Sequence, residues 1–246
     1  MNTSCICLIN LSICESELPS INEIIMCKII CSILFLVLIC SVFAQENTYQ
    51  AGDQSLLFMP TAYTMPKGTS ALTDYEVIVI QYAYAAGNYT HLSAMTAFPV
   101  SKDALRSFTV GIKQNYLRQG KLQSAFWVTF TPDSGTRLLT AGNVFSYGTS
   151  KTSGHAAIAY GMNRNEDVNS ALIMLGGTTY LSKRVNLMGE LTNTSESLSE
   201  GVLGIFALGI RFKGNSMSWD LGGFRPLSEE DDELFALPYL KATFVF

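Results

Sequence analysis

After residue 40 the sequence contains no cysteine, and in its whole length it has only two histidines, His91 and His155. The six cysteines are all early: Cys5, Cys7, Cys14, Cys27, Cys31 and Cys40. A structural zinc site usually needs four cysteine or histidine ligands, so the later residues cannot build one. They cannot form a disulfide either. We therefore predict no metal site and no other cofactor.

Charge is also scarce. Charged residues make up 15% of the sequence, whereas 48% of residues are hydrophobic and 11% are aromatic. Soluble domains usually carry about 25% charged residues. The net charge is −4 and no basic stripe is present, which argues against nucleic acid as a partner. The sequence has no phosphate-binding loop and no dinucleotide-binding fingerprint.

Residues 26–44 are typical of a signal peptide. Lys28 precedes an apolar core, and Val42 and Ala44 occupy the two positions that a signal peptidase reads. A membrane anchor is the alternative, but the apolar run is shorter than the roughly 20 residues that a spanning helix needs. We therefore predict cleavage between Ala44 and Gln45.

The first 25 residues do not fit a signal peptide. They hold three glutamates and no lysine or arginine, whereas a signal core should follow a positive stretch. We interpret residues 1–25 as a gene-model extension, with translation starting at Met26. The exported domain would then span residues 45–246.

The exported part shows no long segment with helical periodicity. It shows extended runs of about ten residues separated by turn residues. In order they are "SLLFMPTA", "LTDYEVIVIQYAYA", "YTHLSAMTAF", "RSFTVGIKQNYL", "LQSAFWVTFT", "RLLTAGNVFSY", "HAAIAYGM", "SALIMLGGTTYL", "VNLMGELTN", "VLGIFALGIRF", "MSWDLGGFR" and "YLKATFVF". Alternating runs of this length are typical of a transmembrane β-barrel.

A secreted β-sandwich or a lipocalin-like barrel would also alternate. Two features favour the membrane. The last run alternates and ends on an aromatic residue, Phe246. In addition, every second connection carries acidic residues, including the block "EEDDE" at 229–233, while the intervening ones are mostly shorter, basic and free of acid. Outer-membrane barrels likewise have short periplasmic turns and longer outer loops.

These features resemble small bacterial outer-membrane β-barrel proteins of uncharacterised function, over roughly residues 50–246. The stretch "LFMPTAYTMPKGT" also looks like members of this class. The class implies an all-β fold, an up-and-down antiparallel barrel of about twelve strands, with ten as the alternative count. It also implies location in the bacterial outer membrane, with outer-membrane lipid and the barrel-assembly machinery as partners. Tyr239, Phe244 and Phe246 match the terminal assembly signal, while Lys241 stands where many members have glycine.

Six charges fall on the polar, inward faces of the runs: Glu76, Lys113, Glu190, Arg211, Asp220 and Lys241. Over the last four runs their signs alternate, so cross-strand neighbours would attract each other. A charge on the lipid face would cost about 2–4 kcal/mol for lysine or arginine at the membrane midplane. Two interpretations stay open, a salt-bridged network that fills the lumen and a charged constriction in a pore.

Some runs are apolar on both faces, which assigns Ile78, Ile80, Leu203 and Ile205 to the inside. The leading hypothesis is therefore a passive channel for small solutes, apolar ones included. A non-conducting structural or adhesion barrel is the alternative. An outer-leaflet enzyme is less favoured, because His91 and His155 would lie at the periplasmic rim, and we predict no catalytic residues.

Overall fold

The computed structural model describes residues 49–98, 108–132, 137–149, 151–163, 168–195, 204–227 and 236–246. The predicted extension (1–25), the signal peptide (26–44) with its cleavage at Ala44 and Gln45, Leu203 and the acidic block at 229–233 lie outside the described residues. No helix among the described residues is long and apolar enough to cross a membrane.

Twelve antiparallel strands form a closed barrel in which each strand pairs with its neighbours in sequence and β1 pairs with β12. The strands are β1 (Ser70–Tyr75), β2 (Val79–Ala85), β3 (Thr90–Ala97), β4 (Thr109–Gln119), β5 (Leu122–Pro132), β6 (Arg137–Gly148), β7 (Ser153–Asn163), β8 (Val168–Ser182), β9 (Val185–Thr194), β10 (Ile205–Lys213), β11 (Met217–Pro226) and β12 (Leu237–Val245). This architecture confirms the predicted fold class and strand number.

The alternation of side chains decides which face of each strand is inside. In β10, Leu208 and Ile210 are 48% and 37% exposed, whereas Ala207 and Arg211 are 1% and 3% exposed. Large apolar side chains thus cover the outer surface, and small or polar ones point into the lumen. This apolar exterior is that of an outer-membrane barrel. β1 starts and β12 ends at the same end of the barrel. We call that end periplasmic and the opposite end outer, as in outer-membrane barrels.

The structure corrects the assignment of the first two runs. "SLLFMPTA" is not a wall strand; it lies inside the barrel, where Ser55 and Pro60 form an isolated bridge. The second run is two strands, β1 and β2, joined by a turn in which Glu76 and Val77 have φ of 60°. The first predicted strand is lost and the second is divided in two, so the number of strands stays at twelve. The acidic and the basic connections therefore still lie at opposite ends of the barrel.

Residues 49–65 fill much of the periplasmic half of the lumen, and we call them the plug. Leu56, Leu57 and Met59 are 0–1% exposed. They pack with small or flexible side chains of the wall: Ala125, Val144, Ala157, Met174, Met188 and Ala207. Burying each large apolar side chain contributes about 1.5–3 kcal/mol. The main core of the protein is therefore the contact between plug and wall.

Candidate functional site

The plug is a hairpin whose tip points toward the outer end. The amide of Leu56 donates to the carbonyl of Met59 (2.8 Å), and the amide of Thr61 donates to the carbonyl of Gln54 (3.1 Å). Leu57 and Phe58 form the tip between them. The backbone of the plug pairs with itself and is bound mostly by side chains of the wall, so it is not a strand of the barrel.

Arg211 and Asp220 anchor the first arm of the plug hairpin, which leads from Gly52 to the tip. They are directly opposite in β10 and β11, and two hydrogen bonds of 2.6 and 2.7 Å join the guanidinium to the carboxylate. The same guanidinium donates to the carbonyls of Gly52 (2.6 Å) and Ser55 (2.8 Å). The ion pair therefore also holds the plug backbone through charge-assisted hydrogen bonds.

Lys241 continues this grip from β12. It lies opposite Asp220, and its ammonium is 2.9 Å from the Asp220 carboxylate. It also donates to the carbonyls of Leu56 and Leu57. Lys241, the residue at which the last strand departs from the expected assembly pattern, is thus a plug contact.

Glu190 holds the tip with the opposite chemistry. Its carboxylate accepts the amides of Phe58 (2.8 Å) and Met59 (3.1 Å). In the register of β9 and β10 it lies opposite Ala207. The predicted ladder of alternating charges is therefore interrupted between these strands, and Glu190 serves the plug separately from the cluster of Arg211.

Of the two remaining predicted lumen charges, Lys113 lies in the lumen and Glu76 does not. Lys113 faces inward and donates to three plug carbonyls, those of Gln54 (3.2 Å), Thr61 (3.2 Å) and Tyr63 (2.9 Å). Glu76 is an error of the sequence prediction, since β1 ends before it. It is exposed in the β1–β2 turn, and its carboxylate accepts the amide of Leu240 (2.9 Å).

The two histidines lie near the periplasmic ends of β3 and β7, but they face inward rather than lining the rim. His91 and His155 are 4% and 5% exposed. The amide of Met65 donates to His91 Nε2 at 2.5 Å. The His155 ring is 2.7 Å from the hydroxyl of Ser146 and 2.9 Å from that of Ser153. Both side chains are thus engaged with the plug or the neighbouring strands.

The base of the plug carries its own ion pair. Lys213 Nζ lies 3.0 Å from the Asp53 carboxylate and 3.2 Å from the Gln50 side chain. Burial raises the pKa of Asp53 above its ordinary value, and the charge of Lys213 opposes this only in part. Docking of the plug therefore places an ionisable carboxyl in a desolvated position.

The predicted assembly residues separate into two groups. Phe244 and Phe246 point outward and are 38% and 71% exposed. Tyr239 faces the lumen, where its hydroxyl donates to the carbonyl of Leu57 (2.8 Å) and its ring packs on Phe58 with centroids 4.4 Å apart. Tyr239 is therefore also a plug contact and not a residue of an interfacial aromatic belt.

Between the plug and the β1–β5 side of the barrel lies a cavity of about 470 Å³, which we call the outer cavity. Phe58 and Pro60 of the plug form its floor. Its wall is largely apolar, with these residues among those lining it: Tyr75, Val79, Gln81, Ala83, Ser93, Met95, Trp127 and Thr129. Tyr75, Val79 and Met95 lie toward the outer ends of β1, β2 and β3, so the cavity extends toward the outer end.

This cavity corrects two of the predicted inside residues. Ile78 is 59% exposed in the β1–β2 turn, and Ile80 lies on the face of β2 opposite to Val79 and Gln81, which line the cavity. Ile205 shares the inward face of β10 with Ala207. Among the described residues, no group of three or more histidine, cysteine, aspartate or glutamate side chains could hold a metal ion.

Comparison of the sequence with models of known protein families and with curated proteins found no match. Solved structures match the fold. The KdgM porin in complex with disordered oligogalacturonate matches at 8% identity and a TM-score of 0.50, over 72% of this chain and 98% of that one. An outer membrane channel from Pseudomonas putida F1 matches at 10% identity and a TM-score of 0.54, over 81% and 100%. The chain is therefore similar to these outer-membrane barrels in its fold.

Proposed function

We propose that the protein is a passive outer-membrane channel for small solutes, closed in this conformation by its plug. The observation that carries the proposal is the outer cavity. Its volume of about 470 Å³ falls within the range of roughly 300–1,000 Å³ that is usual for small-molecule sites. The two solved structures of similar fold are described as a porin and as a channel, which supports the same function.

The way the plug is attached supports a removable closure. Side chains of the wall donate to plug carbonyls through Lys113, Arg211 and Lys241. None of these bonds belongs to the ladder of the barrel, so the plug can leave while every strand keeps its partners. Water can replace each side-chain bond, so the free energy of undocking comes mainly from the apolar contacts of Leu56, Leu57 and Met59 with the wall. A channel that opens by plug movement is consistent with this arrangement.

A non-conducting structural barrel is the second candidate. It is favoured by the buried anchor of Arg211, Asp220 and Lys241, whose side chains are only 0–4% exposed. If this anchor never releases, the lumen stays closed and the barrel serves as a rigid platform. Planar-bilayer conductance separates the two candidates, with wild-type protein compared with a variant that lacks residues 50–65.

The channel hypothesis expects brief open steps from the wild-type protein and larger, long-lived steps from the deletion variant. Vesicles containing the variant should also swell faster in small neutral solutes than vesicles containing the wild type. Silence of the wild type would reject the channel, whether or not the deletion variant conducts, because a plug that never moves makes a structural barrel.

A further inference from the structure

The barrel wall is low at the β1–β2 hairpin. β1 has six residues and β2 seven, whereas β11 and β12 have ten and nine. With a rise of about 3.3 Å per residue and a tilt of about 40°, six residues climb roughly 15 Å. The apolar band of an outer-membrane barrel is about 25 Å tall. The hairpin therefore ends inside the hydrocarbon layer if β1 starts near its periplasmic edge.

The residues of the turn fit this depth. Val77 and Ile78 are 60% and 59% exposed, whereas turns that reach water usually consist of Gly, Asn, Asp, Ser and Pro. Val77 even adopts a φ of 60°, a conformation that is unfavourable for a β-branched residue. Two branched apolar side chains at this turn are suited to contact with lipid, and the exposed carboxylate beside them, that of Glu76, is hydrogen-bonded to the Leu240 amide.

β12, the neighbour of β1, extends beyond this hairpin toward the outer end, and the hydrogen-bonding groups of its free edge are satisfied. The last β1–β12 pair is Tyr75 with Lys241, and no described residue pairs as a strand with Leu237–Leu240 on that side. Glu76 closes the edge, because its amide donates to the Leu240 carbonyl (2.9 Å) and its carboxylate accepts the Leu240 amide (2.9 Å).

The next position on the same edge is Pro238. In an antiparallel ladder every second residue points its amide toward the same neighbour, so the amide of residue 238 would face the missing strand. Proline has no N–H and leaves no donor unsatisfied there. Glu76 and Pro238 thus make the edge stable without a partner strand.

The gap above the hairpin adjoins the outer cavity. Tyr75 and Val79 flank the turn on its two sides, and both line the cavity. Among the described residues that line the cavity, the one cationic side chain is that of Lys113, which already donates to three plug carbonyls. This described part of the lining therefore offers aromatic and aliphatic surface with no uncommitted charge, which suits an uncharged ligand.

We propose that the gap between the outer end of β12 and the β1–β2 hairpin is a lateral portal. Through it, an uncharged apolar small molecule dissolved in the outer-membrane lipid passes sideways into the outer cavity. The later passage of that molecule through the barrel rests on the proposed channel function. Its access from lipid and its binding in the cavity are independent of that function.

Trp127 provides a reporter inside the cavity. The sequence has two tryptophans, and Trp219 faces outward with 39% exposure. A Trp219→Phe variant therefore leaves only Trp127 to fluoresce. The variant is placed in vesicles made with phospholipids that carry bromine on their acyl chains. Bromine quenches tryptophan only at short range, and a brominated acyl chain is tethered to its headgroup in the membrane. Acyl chains outside the barrel give a baseline of quenching through the wall. Any quenching of Trp127 above that baseline requires an acyl chain to enter the cavity through the portal.

Two changes should reduce this quenching severalfold. Ile78→Asp puts a charge at the lip of the portal, and Val79→Phe narrows the cavity beside it without adding charge. The matched control is Leu181→Asp, because Leu181 is similarly exposed at 57% but lies at the periplasmic end. The control should quench as the parent does. All variants are first checked for the heat-modifiable mobility of a folded barrel.

Equal quenching in the parent, Ile78→Asp and Val79→Phe would overturn the portal. So would a dimer in detergent that becomes monomeric on Ile78→Asp, because a second copy would then cover the edge of β12. The outcome is separate from that of the channel. A silent barrel with portal-dependent quenching would reject only the channel, and a conducting barrel without such quenching would reject only the portal.

Discussion

Arg211 and Asp220 face each other across β10 and β11, and the guanidinium that neutralises this carboxylate also binds the backbone of the plug. A pair that only filled the lumen could be replaced by two small residues with little loss, since adjacent charges are coupled. Here Asp220 also neutralises Lys241. The pair is one part of a larger network that joins three strands to the plug.

The first prediction follows from that network. Arg211→Ala should destabilise the barrel with its docked plug by about 3–5 kcal/mol, as expected when one partner of a buried ion pair is removed. Adding Asp220→Ala should recover little, because Lys241 then loses its counter-ion and the carbonyls of Gly52 and Ser55 still lack a donor. Urea unfolding of the single and double variants measures both effects. Near-complete recovery in the double variant would show that the pair acts independently of the plug.

The second prediction concerns the tip of the plug. Glu190→Gln replaces one carboxylate oxygen with an amide group, which cannot accept a hydrogen bond from Phe58 or Met59. An unsatisfied buried amide costs about 1–3 kcal/mol, so the plug should undock more often. We expect a roughly tenfold or greater increase in the open fraction of single channels for a loss of about 1.4 kcal/mol. Thr192→Ala, one inward position further along β9, is the control and should leave the open fraction unchanged.

The third prediction is a pH dependence of plug docking. Because burial raises the pKa of Asp53, the docked plug takes up a proton at a higher pH than the released plug. The contribution of Asp53 to docking should therefore strengthen as pH falls through the raised pKa, and this gain should be complete below about 3.8, the ordinary value. Protease accessibility of the plug across this range measures it. Asp53→Asn should lack this contribution, so the difference in plug protection between the wild type and this variant should grow as pH falls, and a constant difference would contradict the prediction.

Much of the barrel could be predicted from the sequence, because a lipid-facing wall imposes a strict period of two on every strand. Runs such as β5 and β10 carry that period plainly. The same period gave the inward orientation of Arg211 and Asp220. Their direct opposition depends on the register, which is set by turns and bulges, and alternation alone does not fix it.

The plug could not be predicted in the same way. "SLLFMPTA" has strand-like composition, and burial by the wall on all sides removes the alternation that would separate an inside from an outside. Pro60 was the one local signal, since it cannot donate to a ladder. The β1–β2 hairpin was missed for a related reason: its turn consists of Glu76, Val77 and Ile78, and lacks the glycine, proline or asparagine by which turns are recognised.

The last prediction concerns Phe246. Its backbone closes the barrel, because its amide donates to the Ser70 carbonyl (2.9 Å) and its carbonyl accepts the Ser70 amide (2.8 Å). Its ring points away from the barrel and is 71% exposed. A residue with this exposure contributes little to packing, so Phe246→Ser should barely change the stability of the refolded barrel.

If the assembly machinery recognises the ring, Phe246→Ser should lower the amount of folded barrel in the outer membrane severalfold. Refolding of the same variant in detergent should stay intact. Phe145→Ser is the matched control, since Phe145 is also outward-facing and 49% exposed. This control removes a similar ring from β6, away from the last strand, and should assemble more efficiently than Phe246→Ser. The measurement is the heat-modifiable fraction in outer-membrane preparations beside the yield of refolding in detergent. Equal assembly of the two variants would mean that Phe246 serves the lipid contact alone and carries no signal.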